Sequence, residues 1–331
     1  MWHPFLVQRA LFMGDFVFTE ELKPANLSDM YKLFFYTLIL SMMACNSSSK
    51  PIPTDSASEG TIHISVDESF REIMDEQIKV YQALQPKANI VVHYKSEADC
   101  WKDLYDDSTR MLMVTRKLSP GETKYYYDSV GVYPESGQLA YDAVALVVNR
   151  KTSDSVFTQQ QIKEILSRKS SLSYKPVFDG NKATANFRYA MDSILMGMPA
   201  DLSRISAAKS GREVVEFIAN NPGYIGFVGV SSIGNPEDTM QQRMREKVRM
   251  AWVSCRNCAK GQEYSTPAQE EILYNRYPYT RGVYYVLKET HAGLGRAFVN
   301  FMKKDQGQLI FRRGYLVPAW RPHIVRETVI R

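Results

Sequence analysis

The feature that most constrains the fold is a regular alternation of strand-like and helix-like segments after residue 60. Apolar residues alternate in the β-rich runs 61–66 (TIHISV) and 89–94 (NIVVHY), and a segment with helical spacing follows each run. The same order continues through 143–149 (AVALVVN), 225–230 (IGFVGV) and 282–287 (GVYYVL). Strands that alternate with helices in this way predict an α/β fold with mainly parallel sheets.

Length and charge narrow the class of protein further. The chain has 331 residues, more than one compact core usually supports, so we expect two lobes. Its 41 Lys and Arg against 36 Asp and Glu give a net charge of +5, spread without a basic run. This balance argues against a nucleic-acid-binding protein. The 44% of apolar residues argues against a disordered chain.

One apolar run near the N-terminus, residues 33–44 (LFFYTLILSMMA), predicts the compartment. It is too short to cross a bilayer as a helix, and its length is typical of a signal-peptide core. Lys32 precedes the run, and Ala44 and Cys45 end it. The stretch resembles a bacterial lipoprotein signal, in which the cysteine is acylated. The alternative is a short buried helix.

This resemblance implies a division of the N-terminal region. Residues 30–45 are a signal peptide, and the Ser/Pro-rich residues 46–59 are a polar tether. Residues 1–29 are either an over-extended reading frame or disordered. The mature protein is then a lipoprotein of the cell envelope that faces the periplasm, and lipid on Cys45 holds it to the membrane.

The sequence lacks the common enzyme motifs. It contains no GxSxG, no Walker A, no GxGxxG and no HExxH pattern, and its five histidines are not paired at metal-ligand spacing. We therefore predict a protein that is not an enzyme and that uses no metal and no cofactor.

The one redox-type pattern is Cys255-Arg-Asn-Cys258. A zinc site would need a second such pair, and the sequence has none. Two interpretations stay open: a local disulfide in an oxidising compartment, or a thiol-redox protein that uses both cysteines.

Four stretches carry a resemblance to a known family. They lie in the family's order along the chain: 140–166, with AYDAVALVVN and FTQQQIKEIL; 210–228, SGREVVEFIANNPGYIGFV; 277–285, YPYTRGVYY; and 298–318. They resemble the phosphate-binding solute-binding proteins of bacterial ABC transporters, the PstS family.

The resemblance implies a two-lobed α/β fold of periplasmic-binding-protein type II, with a hinge between the lobes. Residues 60–141 and 282–331 form lobe 1, and residues 142–281 form lobe 2. The implied ligand is phosphate or a related oxyanion, and the implied partners are the permease subunits of an ABC transporter. A monomer is expected. The alternative is a sensor or scavenger of another oxyanion on the same fold.

The resemblance also implies ligand-binding residues in lobe 1. They are Ser69 and Phe70 after the first strand, Ser96 after the second, and Thr115 and Arg116 after the third. Hydroxyl groups, backbone N–H groups and the planar guanidinium all donate to an oxyanion. All five follow strand ends, where α/β clefts bind ligands. For each hydroxyl, a helix cap is the alternative role.

In lobe 2 the family places a Ser-Gly-Thr type sequence and an arginine at a helix start. The matching positions are Thr184, Ala185 and Asn186, with Arg188 as the cation. The sequence lacks the glycine. We expect Arg116 and Arg188 to face each other across the cleft.

A carboxylate can accept the proton that phosphate carries and repel sulfate, which carries none. Many family members use an aspartate in the third loop, where this chain has Arg116. Glu68, directly before Ser69, is the predicted acceptor.

Overall fold

A computed structural model describes residues 55–167, 172–179 and 184–320. The predicted signal peptide, Cys45 and most of the tether fall within residues 1–54, outside the described residues. In the described part of the chain, no helix combines the length and the apolar character needed to cross a membrane.

The first sheet contains both N-terminal and C-terminal strands. In spatial order its strands are β2 (Ala88–Lys95), β1 (Gly60–Asp67), β3 (Thr109–Val114), β12 (Thr280–Leu287) and β4 (Glu135–Asn149). β1 is parallel to β2 and β3, whereas β12 is antiparallel to β3 and β4. A short strand, β13 (Val317–Pro318), also pairs with β4.

The long strand β4 continues into a second sheet. It changes its strand partners between Ala143, which pairs with β12, and Val144. Its neighbours there are β8 (Tyr224–Gly229) and β9 (Val248–Met250), and β8 leads to β6 (Lys175–Asp179) and β7 (Ser206–Ala208). β6 is parallel to β7 and β8. The parallel pairing predicted from the sequence is therefore present at both ends, while the strands shared by the two halves pair antiparallel.

Helices cover these sheets, and a third, small sheet joins β5 (Val156–Phe157), β10 (Trp252–Ser254) and β11 (Tyr264–Ser265). The helices are α1 (Arg71–Leu84), α2 (Glu97–Lys102), α3 (Pro120–Val130), α4 (Gln159–Ser167), α5 (Ala185–Tyr189), α6 (Gly211–Asn220), α7 (Thr239–Lys247), α8 (Gln269–Leu273), α9 (Leu294–Lys303) and α10 (Asp305–Arg313).

Local sequence explains where several helices begin. Ser119 and Glu122 form a reciprocal capping box at the start of α3, with Pro120 at its first position, and the sequence pattern Ser-Pro-Gly-Glu at 119–122 is typical of such a box. Carboxylates cap α9 instead: Asp55 accepts from Leu294 N at 2.8 Å, and Glu289 accepts from the next two backbone N–H groups at 2.8 Å each. These contacts satisfy N–H groups that a helix start leaves without partners.

The core is continuous from one sheet to the other. Residues 143–148 of β4 are fully buried because strands and helices cover both faces, which explains their unbroken apolar sequence. In the second sheet, the rings of Phe178 and Phe227 stack with centroids 4.5 Å apart. The packed sheets fix the strand ends, and the candidate site lies at those ends.

Candidate functional site

The loop after β1 brings a buried carboxylate to the site. Asp67 is fully buried, and its Oδ1 accepts from Ser69 N at 3.0 Å. It caps the 3-10 turn Glu68–Phe70, and α1 begins only at Arg71, so the predicted capping role of Ser69 is wrong. Within the described residues, Asp67 Oδ2 and Ser69 Oγ have no hydrogen-bond partner. Burial raises the pKa of Asp67 to about 7.

A buried ion pair joins the neighbouring antiparallel strands β12 and β4, in which Arg281 lies opposite Asp142. Arg281 donates from Nε and Nη2 to one oxygen of Asp142, at 2.8 Å and 2.6 Å, and both side chains are almost completely buried. Among the described residues, Arg281 Nη1 and Asp142 Oδ1 have no hydrogen-bond partner. A buried arginine with a spare donor is costly to desolvate unless another group completes its hydrogen bonds.

The start of α5 contributes two of the predicted residues. Thr184 caps α5 and donates to Asp179 O at 2.9 Å, while Asn186 donates to Asp179 Oδ2 at 2.7 Å. In the described part of the chain, Asn186 Oδ1 has no hydrogen-bond partner. Ala185 is buried beside them. Burial raises the pKa of Asp179 as well.

These three regions converge on one place. A Cβ built on Gly229, at the end of β8, would lie 3.9 Å from Arg281 Nη2 and 4.0 Å from Asn186 Nδ2. The Arg281 guanidinium carbon lies 5.7 Å from the centre of the Phe70 ring. Donors and acceptors from both sheets therefore meet in one buried cluster.

A fourth carboxylate organises the loop after β3. Glu97 Oε1 accepts from Thr115 N at 2.7 Å and from Thr115 Oγ1 at 2.9 Å. Its Oε2 lies 3.5 Å from Arg188 Nη1, and Arg188 is also 3.6 Å from Asp192. Thr115 and Arg188, two of the predicted ligand-binding residues, therefore both contact Glu97.

A polar cavity lies beside Thr184 at the start of α5. It has a volume of about 510 Å³, and its lining includes Glu68, Ser96, Thr184 and Lys209. Ser96 caps α2: its hydroxyl accepts from Asp99 N at 3.3 Å and donates to the Asp99 carboxylate at 2.8 Å. Glu68 is exposed at this opening, so the buried carboxylate of the first loop is Asp67.

Comparison with known proteins assigns the chain to a family. Residues 51–306 match the family model described as a PBP superfamily domain, PBP-like 2. The chain belongs to this family. No curated protein sequence matches it significantly.

Three solved structures are similar over 78% of this chain. A candidate phosphate ABC transporter substrate-binding protein with bound phosphate from Clostridium perfringens has a TM-score of 0.62 and 18% identity, with 100% of that chain covered. An ABC-type phosphate transport receptor from Vibrio cholerae has 0.60 and 16%, also with 100% covered. PstS from Borrelia burgdorferi has 0.52 and 17%, with 99% covered. At these identities the likeness shows the fold, which confirms the predicted two-lobed architecture.

Arg116 of this PBP superfamily protein contacts Glu122 and Trp101. Its guanidinium donates to both oxygens of Glu122, at 2.8 Å and 2.7 Å, and its carbon lies 3.6 Å from the centre of the Trp101 ring. That Arg116 faces Arg188 across the cleft stays a prediction. Both Nη groups of Arg116 donate to Glu122, and the guanidinium stacks on the Trp101 ring.

Sequence reasoning missed most of the charged cluster. The residues are Asp67, Glu97, Asp142, Asp179 and Arg281. Two of them carry a recognisable signal, because Asp142 and Arg281 lie inside otherwise apolar strands, where a buried charge needs a partner.

The cysteine pair follows β10, a strand of the third, small sheet. Cys255 and Cys258 form a disulfide in the loop after β10, and neither residue begins a helix. A reactive thiol usually depends on a helix N-terminus or a nearby cation. Cys100 is the free cysteine among the described residues, and burial raises the pKa of its thiol.

Proposed function

We propose that this protein captures an oxyanion, phosphate first, between its two lobes and delivers it to an ABC-transporter permease. The supporting observation is the convergence of unpaired polar atoms from both sheets: Arg281 Nη1, Ser69 Oγ, Asp67 Oδ2 and Asn186 Oδ1, all within the described residues. Binding a ligand there would satisfy groups that are otherwise buried at a cost.

The mixture of donors and acceptors favours an oxyanion that keeps a proton. Arg281 and Ser69 can donate to ligand oxygens, while Asp67 can accept the ligand's remaining proton or share it. Above about pH 7, where Asp67 is ionised, a fully deprotonated anion would meet the carboxylates of Asp67 and Asp142 without a proton between them. Phosphate therefore suits this cluster better than sulfate.

Calorimetric titration of the full chain with phosphate, sulfate, molybdate and nucleotides tests this proposal. We expect phosphate to bind most tightly. Tighter binding of another oxyanion would support the alternative of a sensor or scavenger for that ion. No binding of any of them would refute the proposal.

The location remains a separate proposal. We propose a periplasm-facing lipoprotein that is anchored through Cys45 and works as a monomer, without nucleic acid and without enzyme activity. Several acyl chains on one cysteine anchor a protein firmly, whereas a single chain does not. Replacing Cys45 by Ser should leave the chain unprocessed, and intact-mass measurement of the mature protein checks this. A mature chain that begins elsewhere would exclude the anchor.

A further inference from the structure

Glu97 already supplies a negative charge to the donors that an oxyanion would need. One carboxylate oxygen accepts both the backbone N–H and the hydroxyl of Thr115, at 2.7 Å and 2.9 Å. The other oxygen lies 3.5 Å from the guanidinium of Arg188. The Glu97 side chain is only 2% exposed, so this contact is almost free of solvent screening.

The contact also joins the two halves of the fold. Glu97 begins α2 and Thr115 follows β3, both beside the first sheet, whereas Arg188 belongs to α5 beside the second sheet. A second pair that links the halves, Glu72 with Arg212 at 3.8 Å, is much more exposed and contributes little.

We propose that Glu97 is an internal anion that bridges the lobes and competes with the ligand for Thr115 and Arg188. This inference rests on the proposed function, because the competition has meaning only if the site binds an oxyanion. A carboxylate and an oxyanion accept the same hydrogen bonds, so both cannot use these donors fully at once. Glu97 therefore sets how much negative charge the site tolerates and how tightly it binds.

Two substitutions at the same ion pair give opposite expectations. Glu97→Gln keeps an acceptor for Thr115 but releases Arg188, so phosphate should bind at least about tenfold more tightly. Arg188→Gln removes the cation and leaves Glu97 beside the ligand, so phosphate should bind at least about tenfold more weakly. If the Glu97–Arg188 pair only stabilised the fold, both variants would shift the affinity for phosphate in the same direction.

A measurement without ligand tests the bridge itself. Solution X-ray scattering of the full chain should give a larger radius of gyration for both variants than for the wild type. Glu122→Gln is the matched control, since Glu122 holds Arg116 by a similar contact between two residues of the segment that joins β3 to β4. It should change neither the radius nor the affinity. If Glu97→Gln fails to fold, Arg188→Gln still tests the bridge by scattering.

The outcomes separate this inference from the proposed function. Absence of oxyanion binding by the wild type and by Glu97→Gln would refute the proposed function and with it the competition. Binding that both variants weaken, or a radius that neither variant changes, would overturn the role of Glu97 alone. Opposite shifts in affinity together with a larger radius would establish it.

Discussion

Two arginines in this chain each bind a carboxylate, and the difference between them separates the candidate site from the scaffold. Arg116 uses both Nη atoms on both oxygens of Glu122 and stacks on Trp101 with 36% of its side chain exposed. Arg281 uses Nε and Nη2 on one oxygen of Asp142 and is 2% exposed. Burial with an unused donor, rather than position after a strand, distinguishes Arg281, the arginine that we propose to bind the ligand.

The largest effect is expected from replacing Arg281. Arg281→Gln should weaken phosphate binding by about a hundredfold, because the charge-assisted hydrogen bond from Nη1 is lost and Asp142 keeps its negative charge beside the anion. It should also lower the free energy of unfolding by about 3–5 kcal/mol, since Asp142 stays buried without its cation. Titration calorimetry and urea unfolding measure the two effects.

Arg116→Gln is the matched variant in this comparison. Its affinity for phosphate should equal that of the wild type, and its free energy of unfolding should fall by about 1 kcal/mol, as for a partly exposed pair. A loss of affinity as large as that of Arg281→Gln would show that Arg116 binds the ligand.

The next effect concerns Asp67, a carboxylate without the direct arginine contact that Asp142 has. Its pKa is about 7 in the folded protein against a usual 3.8. Between pH 4 and 7 the folded state holds a proton that the unfolded state has lost. The free energy of unfolding should therefore fall by up to about 1.4 kcal/mol for each pH unit in this interval and level off above it.

Asp67→Asn should remove this fall, and urea unfolding at several pH values checks it. Asp128→Asn serves as the control, because Asp128 is exposed and pairs with Lys124 on α3. An unchanged pH profile in Asp67→Asn would show that another group titrates.

Ser69 and Ser119 allow a similar comparison, with smaller expected effects on affinity and stability. Ser69→Ala should weaken phosphate binding by about tenfold with little change in stability, because its hydroxyl has no partner among the described residues. Ser119→Ala should leave affinity unchanged and lower stability by about 1 kcal/mol, since it removes a helix cap. The reverse pattern would contradict both assignments.

The smallest effect is expected at Glu68, the carboxylate predicted from the sequence to recognise the proton of phosphate. Because Glu68 is exposed at the opening, Glu68→Gln should change the phosphate-to-sulfate ratio by less than about threefold. Asp67→Asn should change it more. Side-by-side titrations with both anions decide between the two carboxylates.

The sequence predicted the strands and the caps of α3 well, because these depend on local pattern and local hydrogen bonds. It also indicated Thr115 and Asn186, which follow strand ends or begin a helix. It missed the Arg281–Asp142 pair, which forms only when two strands far apart in sequence lie side by side. It did not show that Glu122 holds the guanidinium of Arg116, because a spacing of six residues does not reveal which side chains meet.

The position of β12 has a consequence for how the chain folds. This strand lies between β3 and β4, yet it is synthesised after the whole second sheet. The first sheet therefore cannot be completed until most of the chain has been synthesised. Until then, the edges of β3 and β4 that pair with β12 have no strand partner. Such non-local pairing makes folding slow and leaves intermediates exposed to aggregation. A chain truncated before β12 should consequently fail to form a stable first sheet, even though it retains β1, β2 and β3.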